Sequence, residues 1–211
     1  MPQNILSELP VGRCESNTTF SCVFDNIQRF RIRAAYKDLR GELLFTDVLD
    51  GQSGQIKMVA EESVKCEESS LYIKDEFGLP QISCFFGTRD IATTVRVYDS
   101  CDALLGYIRR ENVDSFSILD AVYNKTCILV QRKTCPFPYF QVVSTTCVPN
   151  KPIARIYEDR YTVVVDVECS IEPQQKALLL VFAHVQASVL LNNKQPYPPV
   201  VCSYPYRPST E

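Results

Sequence analysis

Apolar and polar residues alternate over short stretches along most of the chain, and one longer apolar stretch follows near its end. From Leu71 onward, strand-sized stretches come in pairs that are joined by turn-forming residues. The successive pairs begin at Leu71, Thr94, Phe116 and Phe140, which lie 23, 22 and 24 residues apart. This spacing is typical of consecutive β-hairpins, and it leaves no room for helices between the strands.

The alternating stretches predict about twelve strands. Four pairs are formed by residues 71–75 with 81–85, 94–98 with 105–109, 117–119 with 127–130, and 140–143 with 153–157. Three strands precede them, at 30–33, 43–46 and 56–60, and one follows at 161–168. A long antiparallel meander usually avoids exposed edges by closing. The pattern therefore predicts a mostly β protein with a closed twelve-stranded antiparallel barrel.

The apolar stretch, residues 177–191, predicts a helix over 174–192. A twelve-stranded barrel is wide, so its interior has to be filled by more than its own side chains. The fifteen residues, which include the polar His184, Gln186 and Ser188, would span about 22 Å, which is short of the ~30 Å hydrocarbon core of a bilayer. We therefore expect the helix to fill the barrel. Insertion in a membrane or in the groove of a partner are the alternatives.

The domain organisation follows from the same pattern. Residues 26–193 are predicted to form one barrel domain. Residues 1–25 show no sustained period and are predicted to be loose, and residues 194–211 are rich in proline and tyrosine and are predicted to be disordered. Residues 196–199 fit the P-x-x-P pattern, so an SH3-like or similar module is a candidate partner, although a solvated tail is the simpler interpretation.

Composition excludes several classes of function. The 22 basic and 25 acidic residues nearly cancel, which argues against a broadly basic nucleic-acid-binding protein. The ten cysteines include no Cys-x-x-Cys pair, and no signal peptide is evident, so we expect free thiols in a reducing compartment and no zinc site. His184 is the one histidine, and it has no acid or nucleophile at helical spacing. It is predicted to be a core histidine, and the protein is predicted not to be an enzyme.

Three arginines in the first predicted strand define a candidate site for lipid headgroups. Single apolar residues separate them, so a strand places all three guanidinium groups on one face. Phosphate would relieve their mutual repulsion, and an anionic membrane adds attraction of about 1 kcal/mol per basic residue. A solvated face that prevents edge pairing is the alternative. With two nearby basic residues, the candidates are Arg29, Arg31, Arg33, Lys37 and Arg40.

In this order, the strands and the final helix resemble the phospholipid scramblase family, whose fold is similar to the C-terminal domain of tubby-like proteins. The resemblance covers roughly residues 28–193. It is carried by residues 54–63, 71–75, 95–98 with 105–109, 139–143 with 152–156, and 165–168 with 176–180. It implies a twelve-stranded barrel around the C-terminal helix, association with the cytosolic face of a membrane, and ATP-independent movement of phospholipids between leaflets.

Two features of that family are altered here. Its run of adjacent cysteines, which the resemblance implies are palmitoylated, is reduced to Cys84, and Cys14 and Cys22 are the other candidates for acylation. Its acidic calcium segment is represented by four weak candidate ligands, although valines occupy the alternate positions where oxygen ligands belong. These candidates are Glu158, Asp159, Asp166 and Glu168. No other metal site or cofactor is expected.

Three functions remain open on the sequence. The first is a membrane-associated protein of the scramblase family. The second is a non-enzymatic adaptor of tubby-like fold that binds phosphoinositides. The third is a carrier of a small ligand, which requires a cavity beside the helix.

Overall fold

The computed structural model describes residues 24, 27–33, 36–37, 43–64, 68–87, 94–132, 138–146, 151–159, 162–168 and 171–192. Within these ranges there are thirteen strands and one long helix, α1 (Pro173–Asn192). The strands are β1 (Arg29–Arg33), β2 (Tyr36–Lys37), β3 (Leu43–Asp50), β4 (Ile56–Val64), β5 (Glu68–Asp75), β6 (Pro80–Gly87), β7 (Thr94–Asp99), β8 (Leu104–Asn112), β9 (Ser115–Asp120), β10 (Lys125–Arg132), β11 (Tyr139–Ser144), β12 (Pro152–Asp159) and β13 (Thr162–Val167).

The sheet closes through β1, which pairs with β13 on one side and with β3 on the other. From β3 to β13, each strand is antiparallel to the strands that precede and follow it. The closed ring therefore has twelve strands, because the two-residue β2 pairs only with the first half of β3. The predicted fold class is confirmed, and closure leaves the ring without a free edge.

The four predicted hairpins are confirmed, and the structure supplies their register. Leu71 pairs with Cys84, and Phe140 pairs with Ile156. The other two hairpins pair Val95 with Ile108 and Ile118 with Cys127. All eight side chains are buried, because alternate residues of each strand face the barrel interior.

Helix α1 lies inside the barrel. Every side chain from Ala177 to Val185 is buried, which means that all sides of this part of the helix are covered. Phe182 packs edge-on against Phe116 of β9 and Phe140 of β11, with ring centroids 4.9 and 5.1 Å away. The prediction that the helix fills the barrel is confirmed. Within the described ranges, no helix combines the length and apolar character needed to cross a membrane.

Three hairpins at one end of the barrel share the same turn. Asp75, Asp99 and Asp120 each end a strand, and each accepts backbone hydrogen bonds from the second and fourth residues that follow. The distances are 2.8 to 3.0 Å. Because consecutive strands are antiparallel, these turns all lie at the end of the barrel where α1 begins. We call it the turn end.

Several predictions fall outside the described residues. They include the loose segment at residues 1–25 apart from Phe24, the disordered tail at 194–211, and the P-x-x-P segment within that tail. They remain predictions.

Candidate functional site

The arginines of β1 lie on the outer face of the barrel, as the alternating pattern predicts. Phe30 and Ile32 between them are fully buried and face α1. Arg29, Arg31 and Arg33 are partly exposed. We call these three residues the arginine row. It follows the strand that closes the barrel, so acidic residues of the neighbouring strands lie within reach.

Arg29 forms the best-defined ion pair of the row. Its Nε donates to Asp166 Oδ1 of β13 at 3.2 Å, and its Nη2 donates to Asp166 Oδ2 at 2.6 Å. This bidentate arrangement, together with the charge of Asp166, raises the pKa of Arg29 above its ordinary value. Two donor groups of Arg29 are therefore bound to a partner within the barrel wall.

The other two arginines of the row differ in how closely an acidic side chain approaches them. Arg33 pairs with Asp47 of β3 across the opposite side of the seam. Arg31 reaches Asp159 of β12 only at 3.8 Å, and its Nε is buried without a hydrogen-bond partner among the described residues. Because 3.8 Å is too long for a hydrogen bond, the exposed end of the Arg31 guanidinium keeps donor capacity that a phosphate oxygen could use.

The described contacts do not place the other two basic candidates, Lys37 and Arg40, beside the arginine row. Lys37 lies in β2, beside β3, but the description of the structure does not extend to its side chain. Arg40 lies outside the described residues. Their part in the proposed patch stays a prediction.

Three of the four calcium candidates lie beside arginines. Asp166 and Asp159 face Arg29 and Arg31, and Glu168 forms an ion pair of 2.6 Å with Arg155. Glu158 lies on β12, opposite Val163. In the described part of the chain, no three histidine, cysteine or acidic side chains are grouped closely enough to hold a metal ion.

Cys84 lies inside the barrel, on β6, and is fully buried. Burial and the nearby charge of Glu62 raise the pKa of its thiol, so the reactive thiolate is disfavoured. Attachment of an acyl chain at this position would require the barrel to open. The other acylation candidates, Cys14 and Cys22, lie outside the described residues.

His184 has an acidic neighbour that the helical spacing did not reveal. Its Nε2 lies 3.5 Å from Oε2 of Glu62 on β4, and both residues are buried. Neither ring nitrogen has a hydrogen-bond partner within the described structure. The predicted burial in the core is correct, and the acid does not come from helical spacing but from a facing strand. We also expected the ring to be satisfied by hydrogen bonds, and this expectation is wrong.

The cavity found beside α1 is too small for a carried ligand. The cavity between β7, β8, β9 and α1 has a volume of about 10 Å³, which is at the lower limit for one water molecule. Its lining is Val95, Ile108, Phe116, Phe182, Val185 and Gln186. The carrier hypothesis required a larger space, because pockets for small ligands usually measure several hundred cubic ångströms.

One surface was missed by sequence reasoning. Five aromatic side chains from consecutive strands and one turn lie together outside β5 to β9. These five residues are far apart in the sequence, and only the strand register brings them together. We call this surface the aromatic face, and it consists of Tyr72, Phe85, Tyr98, Tyr107 and Tyr123.

Comparison with known proteins supports the fold and leaves the function open. No family model matches this sequence, and no curated protein matches it. Among solved structures, the chain is similar to the X-ray structure of a protein from Arabidopsis thaliana, with 14% sequence identity and a TM-score of 0.50. The similarity covers 77% of this chain and 94% of that chain. It concerns the fold alone.

Proposed function

We propose that this protein associates with the cytosolic face of a membrane and binds anionic phospholipid headgroups through the arginine row, in the manner of a scramblase-like or tubby-like barrel. The observation that carries the proposal is the guanidinium of Arg31, whose side chain is 42% exposed and whose Nη2 lies 3.8 Å from its acidic neighbour, Asp159, beyond hydrogen-bond distance. A phosphate above it would gain a charge-assisted hydrogen bond and leave the bidentate Arg29–Asp166 pair intact.

Binding to liposomes that contain phosphatidylserine tests the proposal. Loss of one basic residue near an anionic surface is worth about 1 kcal/mol, so Arg31→Gln should weaken binding about fivefold. Arg109→Gln is the matched control and should bind as the parent does, since Arg109 lies on β8, across the ring from β1, and its side chain is bound to Glu111. Binding should fall steeply with salt, because exposed charges are screened over about 10 Å at 0.1 M. Equal co-sedimentation of the Arg31→Gln protein and the parent would contradict the proposal.

Movement of lipid between leaflets is the second part of the proposal, and it rests on the resemblance to scramblases. The buried helix occupies the barrel interior, so a headgroup would have to move along the outside of the barrel. Reconstituted liposomes with fluorescent lipid and dithionite separate this activity from binding. Faster loss of inner-leaflet fluorescence supports scrambling, whereas binding without that loss supports the phosphoinositide-binding adaptor.

We further propose that this function does not depend on calcium in the low-micromolar range. Arginines already engage Asp159, Asp166 and Glu168, and valines occupy the alternate positions of β13. Calorimetric titration should give no stoichiometric heat. A heat with calcium that disappears in Asp166→Ala would contradict this proposal.

A further inference from the structure

The outer surface of β5, β6 and β7 is aromatic. The ring of Phe85 lies edge-on between the rings of Tyr72 and Tyr98, with centroids 6.4 Å away from each. Phe85 is exposed, and the two tyrosines are partly exposed. Tyrosine combines an apolar ring with a polar hydroxyl, so this surface suits an environment that is apolar on one side and wet on the other.

The aromatic face continues to the turn end. Tyr107 of β8 stacks on Tyr123 of the β9–β10 turn, with centroids 4.2 Å apart. Leu119 pairs with Tyr107 on the outside of the wall and is nevertheless buried. Three strongly exposed apolar side chains stand on the turns beside the aromatic face. They are Phe77, Leu79 and Val122, which are 81%, 59% and 74% exposed.

The backbone that carries these apolar side chains is held in place by the turns described above. The Asp75 carboxylate accepts the backbone N–H groups of Phe77 and Leu79 at 3.0 and 2.9 Å, and Asp120 accepts that of Val122 at 2.9 Å. Tyr123 has a φ of 68°, which is uncommon for a bulky residue. Its stacking on Tyr107 compensates for that backbone conformation. The surface is therefore preformed.

The charges on this surface are few and mixed. Arg96 lies between Phe85 and Tyr107 in the register, is exposed, and forms no ion pair with any described residue. Glu76 and Asp102 are exposed on neighbouring turns. Acids at the turns oppose attraction to a strongly anionic surface, whereas exposed apolar tips and tyrosines are the composition of a membrane interface.

We propose that the turn end is a membrane-inserting surface, in which Phe77, Leu79 and Val122 enter the apolar edge of the bilayer and the partly or fully exposed tyrosines of the aromatic face lie among the headgroups. These tyrosines are Tyr72, Tyr98 and Tyr123, since Tyr107 is buried. Projecting turns fit a deformable bilayer, because a protein partner would have to supply a groove of matching shape. This inference rests on the proposed membrane association and adds a second contact, remote in the ring from the arginine row, whose strength depends on apolar burial and is insensitive to salt.

The chain contains no tryptophan, so a single introduced tryptophan reports its own surroundings. Three full-length variants are compared: Phe77→Trp and Val122→Trp at the turn end, and Val113→Trp on the β8–β9 turn at the opposite end of the barrel. Val113 is the matched control, because it is 75% exposed and also occupies a hairpin turn. Each variant is mixed with vesicles of phosphatidylcholine, or of phosphatidylcholine and phosphatidylserine in equal parts.

The expected result is a shift of emission to shorter wavelength for Phe77→Trp and Val122→Trp, with quenching by brominated phosphatidylcholine, and no change for Val113→Trp. Emission that stays water-like at both turn-end positions, or an equal shift for Val113→Trp, overturns the inference. A protein-binding surface would give the first of these outcomes. Co-sedimentation in the same samples reports membrane binding separately, so binding without a shift overturns this inference and leaves the proposed function standing.

A double variant tests the energetic side of the inference. Phe77→Ser with Leu79→Ser should reduce binding to phosphatidylcholine vesicles at high salt, whereas Val113→Ser should leave it unchanged. Unfolding curves of the variants should match that of the parent, since these side chains make few contacts in the fold. Unchanged vesicle binding by the correctly folded double variant overturns the inference.

Discussion

The inner face of the barrel wall is mostly apolar and buried, whereas the outer face carries charged side chains that water reaches. On β1, Phe30 and Ile32 point inward and are fully buried, while Arg29 and Arg31 point outward beside acidic residues. The interior holds a small polar group, the Glu62–His184 pair, within an apolar core. The exterior holds several ion pairs that water reaches.

This difference means that a pair of charged or polar side chains contributes differently to stability on the outer face and in the interior. An exposed ion pair usually contributes about 0–1 kcal/mol, because water solvates its charges nearly as well. Removing one partner of a buried pair costs several times more, because the remaining group has lost both its partner and its water. Stability should therefore depend on the inside of the wall, and recognition on the outside.

The largest effect should come from separating Glu62 and His184. Either Glu62→Leu or His184→Leu should lower the free energy of unfolding by about 3–5 kcal/mol, since the partner stays buried and unpaired. The double variant should recover much of the loss, because two apolar side chains can replace a buried pair. Guanidinium denaturation of all four proteins gives the coupling energy. Losses that simply add would show that the two side chains do not interact.

A smaller or similar effect is expected from a cavity in the core. Leu179→Ala should cost about 2–5 kcal/mol, because Leu179 is fully buried on α1. Leu79→Ala is the matched control and should change stability by less than about 0.5 kcal/mol, since Leu79 is exposed on a turn. Urea denaturation measures both. Equal losses would contradict the assignment of α1 to the core.

Added volume provides a third comparison of the two sides. In Gly106→Ala, the new Cβ would lie 2.3 Å from the carbonyl oxygen of Leu119, and backbone cannot easily move away. We expect a loss of about 1–3 kcal/mol in thermal or chemical unfolding. Ala121→Val is the control and should change stability by less than about 0.5 kcal/mol, because Ala121 is exposed on the β9–β10 turn. An equal loss for Ala121→Val would contradict this prediction.

The smallest effect concerns an outer ion-pair network. Hydrogen bonds from Ser117, Arg109 and Lys125 lower the pKa of Glu111 from 4.5 to about 2. Because the folded pKa lies below the unfolded one, the stabilisation is present above pH 4.5 and is lost as the pH falls toward 2. It should amount to at most about 1 kcal/mol. Denaturation across this range should show a shallower acid loss for Glu111→Gln than for the parent, and identical slopes would contradict the prediction.

Much of the fold could be read from local patterns. The alternation around Leu71, Val95, Ile118 and Phe140 predicted the four hairpins, because a strand with one buried face must place apolar residues at every second position. The repeated aspartates at the turns were also visible in the sequence, at spacings of 24 and 21 residues, and could have been recognised as turn signals.

The candidate site was only partly predictable. Alternation placed the arginine row on one face, but the acids that bind Arg29 and Arg33 come from β13 and β3, which are brought to β1 only by closure of the barrel. Cys84 was a candidate for acylation because a linear sequence does not show that its strand turns this side chain inward.

The sequence alone determined the elements, namely the strands, the positions of the turns and one helix. The helix is too apolar to be exposed to water and too short to span a bilayer. These elements depend on residues close together in the chain, whose periodicity matches the geometry of strands and helices. Tertiary structure alone decided which distant residues meet, including Glu62 with His184, and Phe85 with Tyr98 and Tyr72. The reason is physical, since these contacts depend on strand register and on the rotation of the helix inside the closed barrel, and no local pattern encodes either one.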